Sequence, residues 1–268
     1  MNLFNTKNRI LLREMIKTDF KLRYQGSLIG HLWSILKPLL LFTIMYLVFV
    51  KFLRFDDGTP HYAVSLLLGM VTWSFFSEAT NMGMFSIVSR GDLLRKLNFP
   101  KEIIVFSSVA NAAINYSINL LVVFVFALIN GVVPSLGILF IIPLFIELVL
   151  FAAGVSLLLA TFFVKYRDIG PIWEVFLQAG MYATPIIYSL TFIVQRGQEN
   201  FAKIMMLNPM AQIIQDLRHF MIYSGSMRGW DLIGTKAIAV FPYLFPLLVF
   251  VIGYVVFSKN SKRFAEIL

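Results

Sequence analysis

Six long apolar stretches, each containing at most one acidic or basic residue, constrain the fold of this chain more than any other feature. A helix needs about 20 consecutive and mostly apolar residues to cross the hydrocarbon core of a bilayer. The stretches are residues 32–50, 62–89, 103–130, 132–164, 171–194 and 237–258. They predict an all-α integral membrane protein in which residues 1–268 form a single transmembrane domain with six membrane-spanning helices.

Composition excludes an ordinary soluble domain. Hydrophobic residues make up 59% of the chain and charged residues 14%, against roughly 25% charged residues in soluble domains. The polar residues are too few to cover a soluble protein of this length. The chain contains no cysteine, which excludes disulfides, thiolate metal sites and thiol nucleophiles.

The distribution of lysine and arginine predicts the orientation in the membrane. Most of the 23 basic residues lie near the two ends of the chain and in the short loops after the second and fourth stretches. Cytoplasmic loops of membrane proteins carry an excess of Lys and Arg, so both termini are predicted to be cytoplasmic. The net charge of +9 then faces anionic lipid headgroups and cytoplasmic partners, and no nucleic-acid partner is expected.

Residues 5–24 have the pattern of an amphipathic helix at the membrane interface. Apolar residues recur every four positions at Leu12, Ile16 and Phe20. A basic stripe with the same spacing consists of Arg9, Arg13, Lys17 and Lys21. Such a helix lies in the headgroup layer. Two interpretations stay open here, a positive-inside anchor or a specific role in admitting substrate or contacting a partner.

A short helix is predicted within the cytoplasmic segment 90–101. Asp92 is expected to cap this helix. Leu93, Leu94 and Leu97 give it an apolar face that suits docking into a groove of another protein. The alternative is an ordinary tight loop.

Two further polar segments are predicted between the spans. Residues 165–171 form a charged cytoplasmic turn, in which Arg167 and Asp168 pair with each other or with the N-terminal helix. Residues 189–236 are too polar to span the bilayer and too apolar for a solvated loop. They predict short external helices that lie on the outer surface or dip into it, with a break at Asn208-Pro209.

Three glutamates, Glu78, Glu147 and Glu174, fall inside the apolar stretches. An unpaired carboxylate in hydrocarbon is costly, which makes each of them a functional candidate. They are either members of a proton relay or structural residues. In the structural role they are neutral, lie at the ends of spans or form hydrogen bonds with neighbouring backbone groups. We expect the structural role, because no intramembrane Arg, Lys or His is available to pair with them, and Lys37 near the start of the first stretch can reach the headgroups.

The chain lacks the sequence signatures of several enzyme classes. The chain has no phosphate-binding loop of P-loop nucleotide hydrolases, no nucleophile elbow of serine hydrolases and no zinc-binding helix of metalloproteases. The three histidines show no metal-ligand spacing, so no metal site is expected.

Five motifs occur in order along the chain. The first, residues 20–38, leads from the interfacial helix into the first span. Its distinctive residues are Arg23, Tyr24, Ser27, Leu28, Gly30, Trp33 and Pro38. The other motifs are residues 94–100, 166–169, 183–188 and 207–209. Together they resemble the type-2 ABC exporter permeases of bacterial polysaccharide export, the group of O-antigen, teichoic-acid and cell-wall rhamnan exporters. The resemblance covers essentially the whole chain.

The resemblance implies a non-catalytic transmembrane subunit of an ATP-driven exporter. Such permeases work as homodimers bound to two copies of a cytoplasmic ABC ATPase. The ATPase binds ATP and Mg, so no cofactor is expected in this chain. They move a polyprenol-linked polysaccharide from the cytoplasmic to the outer side of the bacterial inner or plasma membrane. Residues 94–100 correspond to the cytoplasmic coupling helix of the family, and residues 183–188 to the break that ends the fifth span.

The family resemblance and the residue chemistry give three sets of candidate site residues. The ATPase-coupling set is Leu93, Leu94, Arg95, Lys96, Leu97, Arg167 and Asp168. The substrate-path set consists of rings that can pack on the C–H faces of sugars, namely Trp33, Trp73, Phe76, Trp173, Phe176 and Tyr182. The set for the lipid-linked diphosphate is Lys21, Arg23 and Lys37. Each set has an alternative interpretation. The coupling set is then an ordinary tight loop, and the rings pack against lipid or other helices. The basic residues of the diphosphate set then only determine the membrane topology.

Three other functions stay open at this point. The first keeps the family but changes the cargo to a drug, a lipid or a lipo-oligosaccharide. The second is a proton-coupled flippase that uses the three glutamates. The third is a membrane glycosyltransferase, for which the lone glutamates supply no evident metal or diphosphate site.

Overall fold

The computed structural model of the protein describes residues 5–23, 25–27, 29–52 and 59–267, except for the side chains of His31 and Ala265. All regular secondary structure in these ranges is helical, which confirms the predicted all-α membrane class. Tyr24 and Leu28 of the N-terminal motif lie outside the described residues.

The helices of the described ranges are numbered in chain order. They are α1 (Thr6–Leu22), α2 (Trp33–Tyr46), α3 (Tyr62–Ser86), α4 (Gly91–Lys96), α5 (Glu102–Ile129), α6 (Ile141–Lys165), α7 (Ile169–Ala183), α8 (Leu190–Gln195), α9 (Glu199–Met205), α10 (Pro209–Met221), α11 (Gly229–Leu232), α12 (Lys236–Ser261) and α13 (Phe264–Ile267). A π-helical segment, Leu47–Phe52, extends α2, and a 3₁₀ segment, Leu136–Phe140, leads into α6.

Within the described residues, five helical segments are long and apolar enough to cross a membrane. They are Trp33–Phe52, Tyr62–Ser86, Glu102–Ile129, Leu136–Lys165 and Lys236–Ser261. Each overlaps one of the predicted stretches. Pro143 of the fourth stretch lies in the first turn of α6, where a proline removes no intrahelical hydrogen bond. The prolines inside transmembrane helices are instead Pro38 in α2 and Pro242 and Pro246 in α12.

The remaining predicted stretch, residues 171–194, is not one continuous helix. It is divided between α7 and α8, and the 15 residues of α7 extend about 22 Å at 1.5 Å per residue, less than the hydrocarbon thickness of about 30 Å. The helix ends at Thr184, whose backbone is extended, because the following Pro185 disfavours a helical conformation there. The structure therefore combines five long helices with one short helix and a break.

A buried arginine of α10 binds the exposed backbone of this break. Arg218 Nη1 donates to the carbonyl oxygen of Pro185 at 2.7 Å, and its Nη2 donates to that of Ile186 at 2.6 Å. Asn208 Nδ2 donates to Thr184 Oγ1 at 3.2 Å. A break in a membrane helix is tolerated only where the protein satisfies its backbone groups, and α10 provides these partners.

The external segment is therefore more deeply packed than predicted. Every residue of α10 from Pro209 to Arg218 is buried, and α10 packs against α3, α6 and α12. Asn208 caps the helix by accepting a hydrogen bond from Met210 N at 3.0 Å, with Pro209 in the first position. The shorter helices α8, α9 and α11 form a separate apolar cluster beside it.

The core is built around α3, which packs on α5 and α6, while α12 packs along α6. At the α6–α12 contact the two backbones touch. A Cβ atom on Gly253 would lie 2.4 Å from the carbonyl oxygen of Gly154. Small residues allow transmembrane helices to approach this closely, so this pair of glycines sets the distance between α6 and α12.

We predict that Gly253→Ala destabilises the protein by about 1–3 kcal/mol, the usual cost of overpacking a close contact. The measurement is thermal unfolding of the purified protein in detergent. Gly234→Ala is the matched control, because a Cβ atom there meets nothing within 4 Å. Equal unfolding temperatures for the two variants would contradict the close α6–α12 contact.

Candidate functional site

A cavity of about 790 Å³ lies among α2, α3, α5 and α7. Arg23, which follows α1, closes one part of its wall. The lining combines aromatic rings, amides, hydroxyls and charged groups, whereas the outer faces of the same helices are mostly apolar. A polar cavity inside a membrane bundle is a functional-site candidate. Polar groups are costly inside a membrane, and those that occur there usually bind a ligand or one another.

An ion pair that the sequence did not suggest lies in the cavity wall. Arg23 Nη1 is 2.6 Å from Glu78 Oε1, and Asn115 Nδ2 donates to the same carboxylate oxygen at 3.1 Å. The expectation that Glu78 has no basic partner is therefore wrong. Arg23 lies outside the predicted spans, but the end of α1 brings it against α3, 55 residues further along the chain.

A row of asparagines on α5 forms a second polar part of the site. Asn111, Asn115 and Asn119 are four residues apart and at most 7% exposed, and the latter two line the cavity. Asn119 Nδ2 donates to the carbonyl oxygen of Ser34 on α2 at 3.1 Å, and Asn115 Oδ1 is buried without a partner among the described residues. Sequence reasoning missed this row, although three amides at helical spacing in a charge-free stretch were a usable signal.

Two of the six predicted substrate-path rings line the cavity. Trp33 is 38% exposed and Trp73 is 7% exposed. Phe75 and Tyr116, which were not predicted, line it as well. The rings are stacked with centroids 5.0 Å apart. Aromatic faces next to amides and hydroxyls are the combination that binds sugars, whose C–H faces and hydroxyl groups need different partners.

The other four predicted rings do not line this cavity. Phe76 is buried and stacks on Phe151. Trp173 donates from Nε1 to Thr80 Oγ1 at 3.1 Å and so fixes α7 against α3. Phe176 and Tyr182 are 60% and 66% exposed on α7.

The predicted diphosphate set divides in a similar way. Arg23 and Lys37 both line the cavity, and Lys37 lies one helical turn after Trp33. Lys21 is exposed on α1 and does not line it. Glu78 and Glu174 also contribute to the lining, so basic and acidic groups meet in the same cavity.

Comparison with known proteins assigns the family. The model of the ABC-2 type transporter family matches residues 10–222. The chain belongs to the ABC-2 type transporter family. It is similar to two proteins of Klebsiella pneumoniae named O-antigen export system permease protein RfbA. One is 31% identical over 259 residues, covering 96% of this chain and 95% of the relative, and the other is 30% identical over the same length. A protein of that name from Myxococcus xanthus is 30% identical over 209 residues, covering 77% of this chain and 78% of the relative.

Family membership places the chain in the membrane as a multi-pass ABC transporter permease, which works with an ABC ATPase. The residues predicted to contact the ATPase lie in and just after α4 and just before α7. Leu94 of α4 is buried at 6% exposure, and Leu97 is 52% exposed. Leu93 is partly buried in the same apolar cluster as Leu94. The exposed side chains are Leu97, Arg95 and Lys96.

The predicted cap of α4 is wrong. The helix begins at Gly91 with Arg90 at the capping position, and Asp92 lies in its first turn without a capping hydrogen bond. The expected pairing of Arg167 is likewise not found within the described residues, where its guanidinium lies 5.0 Å from the ring centre of Phe163. Arg167 and Asp168 are both exposed next to the start of α7.

The C-terminal end of α12 is held by Lys101. Its ammonium donates to the carbonyl oxygen of Ser261, at the end of α12. Burial lowers the pKa of Lys101 from its usual value, and the nearby Glu102 and Glu266 act in the opposite direction. The short helix α13 packs beside this contact and against α4, so the C-terminal end of the permease supports α4.

Glu147 belongs to a different cavity of about 410 Å³. This cavity also contains Asp216, which accepts hydrogen bonds from Tyr243 at 2.7 Å and from Gln212 at 2.9 Å. Near it, two hydrogen bonds from Arg228, at 3.0 and 3.1 Å, hold the pKa of Asp231 below its usual value. Glu78 and Glu174 line the first cavity and Glu147 the second, so the three glutamates do not line a common path.

We predict that Arg23→Gln destabilises the permease by up to about 3–5 kcal/mol, because the partly buried Glu78 carboxylate loses its charged partner and keeps the hydrogen bond from Asn115. The double variant Arg23→Gln with Glu78→Gln should recover part of that loss. Thermal unfolding of the purified protein measures both effects.

The matched control is Lys203→Gln, which removes the more exposed ion pair between Lys203 and Glu199 and should cost only ~0–1 kcal/mol. Equal losses of stability for Arg23→Gln and Lys203→Gln would show that the Arg23–Glu78 pair stabilises the protein no more than an exposed ion pair does.

Proposed function

We propose that this chain is the transmembrane subunit of an ATP-driven exporter that moves a lipid-linked polysaccharide from the cytoplasmic to the outer side of a bacterial inner or plasma membrane. The observation that carries the proposal is the cavity among α2, α3, α5 and α7, with its tryptophans, amides and basic side chains. The names of the similar proteins, which describe O-antigen export, support the same class of cargo.

Each part of the cavity has a role in this proposal. Trp33 and Trp73 pack on the C–H faces of sugar rings. Asn81, Asn115 and the hydroxyls of the α3 serines exchange hydrogen bonds with sugar hydroxyls. Because these partners are neutral and repeated, they suit a chain of sugars that slides past them better than one tightly fixed ligand.

The charged part of the cavity suits the lipid-linked diphosphate. Arg23 and Lys37 line the wall, and the exposed Lys21 lies on the approach along α1. Arginine binds phosphate oxygens in a bidentate manner, and lysine adds a compact positive charge. The ion pair with Glu78 holds the guanidinium of Arg23 in place before the diphosphate arrives.

A homodimer completes the passage in this proposal. The side chains of α7 that face away from the bundle are large and apolar. They are Ile172, Val175, Phe176 and Tyr182, each at least 60% exposed. A second copy of the chain is proposed to cover this face, which would place Phe176 and Tyr182 beside the path. Membrane lipids cover the remaining apolar surface.

Two copies of a cytoplasmic ABC ATPase bind ATP and Mg, and this chain contributes no catalytic residue or cofactor. Both termini and α4 lie on the cytoplasmic side. Leu97, Arg95 and Lys96 contact the ATPase directly, with Arg167 and Asp168 as a smaller second contact. Leu93 and Leu94 hold α4 against the bundle, since they lie in the same apolar cluster as residues of α5 and α6.

The proton-coupled alternative is disfavoured by the placement of the glutamates. A relay needs groups within hydrogen-bond reach of one another or of shared water. Glu147 lies in a different cavity from Glu78 and Glu174, and Glu78 is already bound to Arg23.

The test is translocation of a polyprenol-diphosphate-linked glycan by the purified complex of permease and ATPase in proteoliposomes. We expect ATP-dependent translocation by the wild type. Trp33→Ala and Asn81→Leu should each reduce its rate about tenfold, which corresponds to ~1.4 kcal/mol of lost binding during passage. Phe241→Ala, an exposed ring of α12 outside the cavity, is the control and should leave the rate unchanged.

The proposal fails if the complex hydrolyses ATP without moving the glycan. Hydrolysis that responds to hydrophobic drugs and not to the glycan would favour the alternative cargo. Wild-type rates for both cavity variants would refute the assignment of this cavity.

A further inference from the structure

Two groups of polar contacts hold the C-terminal end of α1 against the bundle. In the first, Asp19 accepts hydrogen bonds from the Arg90 guanidinium and, at 3.5 Å, from Asn111 Nδ2. We call Asp19, Arg90 and Asn111 the Asp19 group.

In the second, Glu78 accepts from Arg23 at 2.6 Å and from Asn115 at 3.1 Å. We call Arg23, Glu78 and Asn115 the Arg23 group.

The two groups are in register. Asp19 and Arg23 are four residues apart at the end of α1, and Asn111 and Asn115 are four residues apart on α5. Residues at this spacing lie on one face of a helix. Both groups therefore belong to the same α1–α5 contact and are separated by a single helical turn.

The groups lead to different parts of the molecule. Arg90 occupies the capping position of α4 and also donates to Ser107 Oγ on α5 at 3.1 Å. The Asp19 group is thus attached to the segment proposed to contact the ATPase. The Arg23 group forms part of the wall of the transport cavity. The last turn of α1 connects the two.

Partial burial strengthens these ion pairs, because it reduces screening by water and salt. The paired side chains are 22% and 20% exposed for Arg90 and Asp19, and 22% and 27% exposed for Arg23 and Glu78. By contrast, Lys17 and Glu14 form a pair on the same helix with exposures of 56% and 57%. Water and salt screen the exposed pair much more strongly. A movement of Arg90 away from Asp19 would leave a partly buried charge unpaired, so α1 is expected to follow α4.

We propose that the Asp19–Arg90 ion pair transmits the movement of α4 through α1 to Arg23 and Glu78, so that ATP hydrolysis repositions the charged wall of the transport cavity. Asp19 and Arg90 are then positioning residues of the transport cycle and bind neither ATP nor cargo. This inference rests on the proposed function of the cavity and of α4.

The experiment uses the complex of permease and ATPase in proteoliposomes with the polyprenol-diphosphate-linked glycan. ATP hydrolysis and glycan translocation are measured in the same sample. Asp19→Asn removes the charge and keeps the shape. We expect the ATPase to co-purify and to hydrolyse ATP near the wild-type rate, while the glycan moved per ATP falls at least about fivefold, the lower range of coupling between distant sites.

Exchange of the two charges, Asp19→Arg with Arg90→Asp, should restore most of the lost coupling. Both new residues suit their positions, because arginine is favourable in the last turn of a helix and aspartate is a preferred helix cap. Glu14→Gln, which removes the exposed pair of the same helix, is the matched control and should leave the ratio unchanged.

Normal translocation per ATP in Asp19→Asn would overturn the proposal. So would an exchanged protein that assembles and unfolds at the wild-type temperature but stays uncoupled. Should the exchanged protein not assemble, Asp19→Asn decides alone. A wild-type complex that does not move the glycan would refute the proposed function itself, which separates that failure from a failure of the α1 connection.

Discussion

Polar groups inside a bilayer must find partners within the protein, and this constraint explains the main departures of the structure from a simple bundle of spans. The carboxylate of Glu78 is bound by Arg23 and Asn115. The backbone exposed after α7 is bound by Arg218. In both places the basic partner comes from outside the five long helices, since Arg23 directly follows α1 and Arg218 lies on α10. The helices α1 and α10 are therefore integral parts of the membrane domain.

The same constraint separates two kinds of surface. The first kind is apolar, and there the helices contact lipid or one another, as α6 and α12 do at Gly154 and Gly253. Where polar groups collect, they line a cavity whose chemistry suits a hydroxyl-rich cargo with a charged end. Membership of the ABC-2 type transporter family supplies the source of work, an ABC ATPase. The exposed Leu97 is among the residues proposed to receive the movement of this ATPase.

The sequence predicts the parts of the fold that depend on local hydropathy. Apolar length identified the membrane class and five of the long helices, because insertion into a bilayer depends mainly on the apolar residues of each segment. The family motifs identified the break after residue 183, and Asn208-Pro209 predicted the break at which α10 begins. The order of motifs along the chain predicted the family, and the matched model confirmed it.

The remaining features depend on packing between distant segments. Arg23 and Glu78 are 55 residues apart, and nothing local indicates that they pair. Leu94 and Leu97 have the same side chain, but only Leu94 is buried, because it lies in an apolar cluster with residues of α5, α6 and α13. The assignment of the rings Phe76 and Phe176 depends in the same way on which side of a helix meets its neighbours, which hydropathy alone does not determine.

The most direct test of the account asks which cavity the cargo enters. A photo-reactive benzophenone amino acid is placed at position 33, in the wall of the first cavity, or at position 140, in the wall of the second. Each complex is illuminated while it transports a radiolabelled polyprenol-diphosphate-linked glycan. If the glycan passes through the first cavity, the protein is labelled in an ATP-dependent manner from position 33 and is not labelled from position 140. Labelling from position 140 alone, in a complex that still transports, would contradict it.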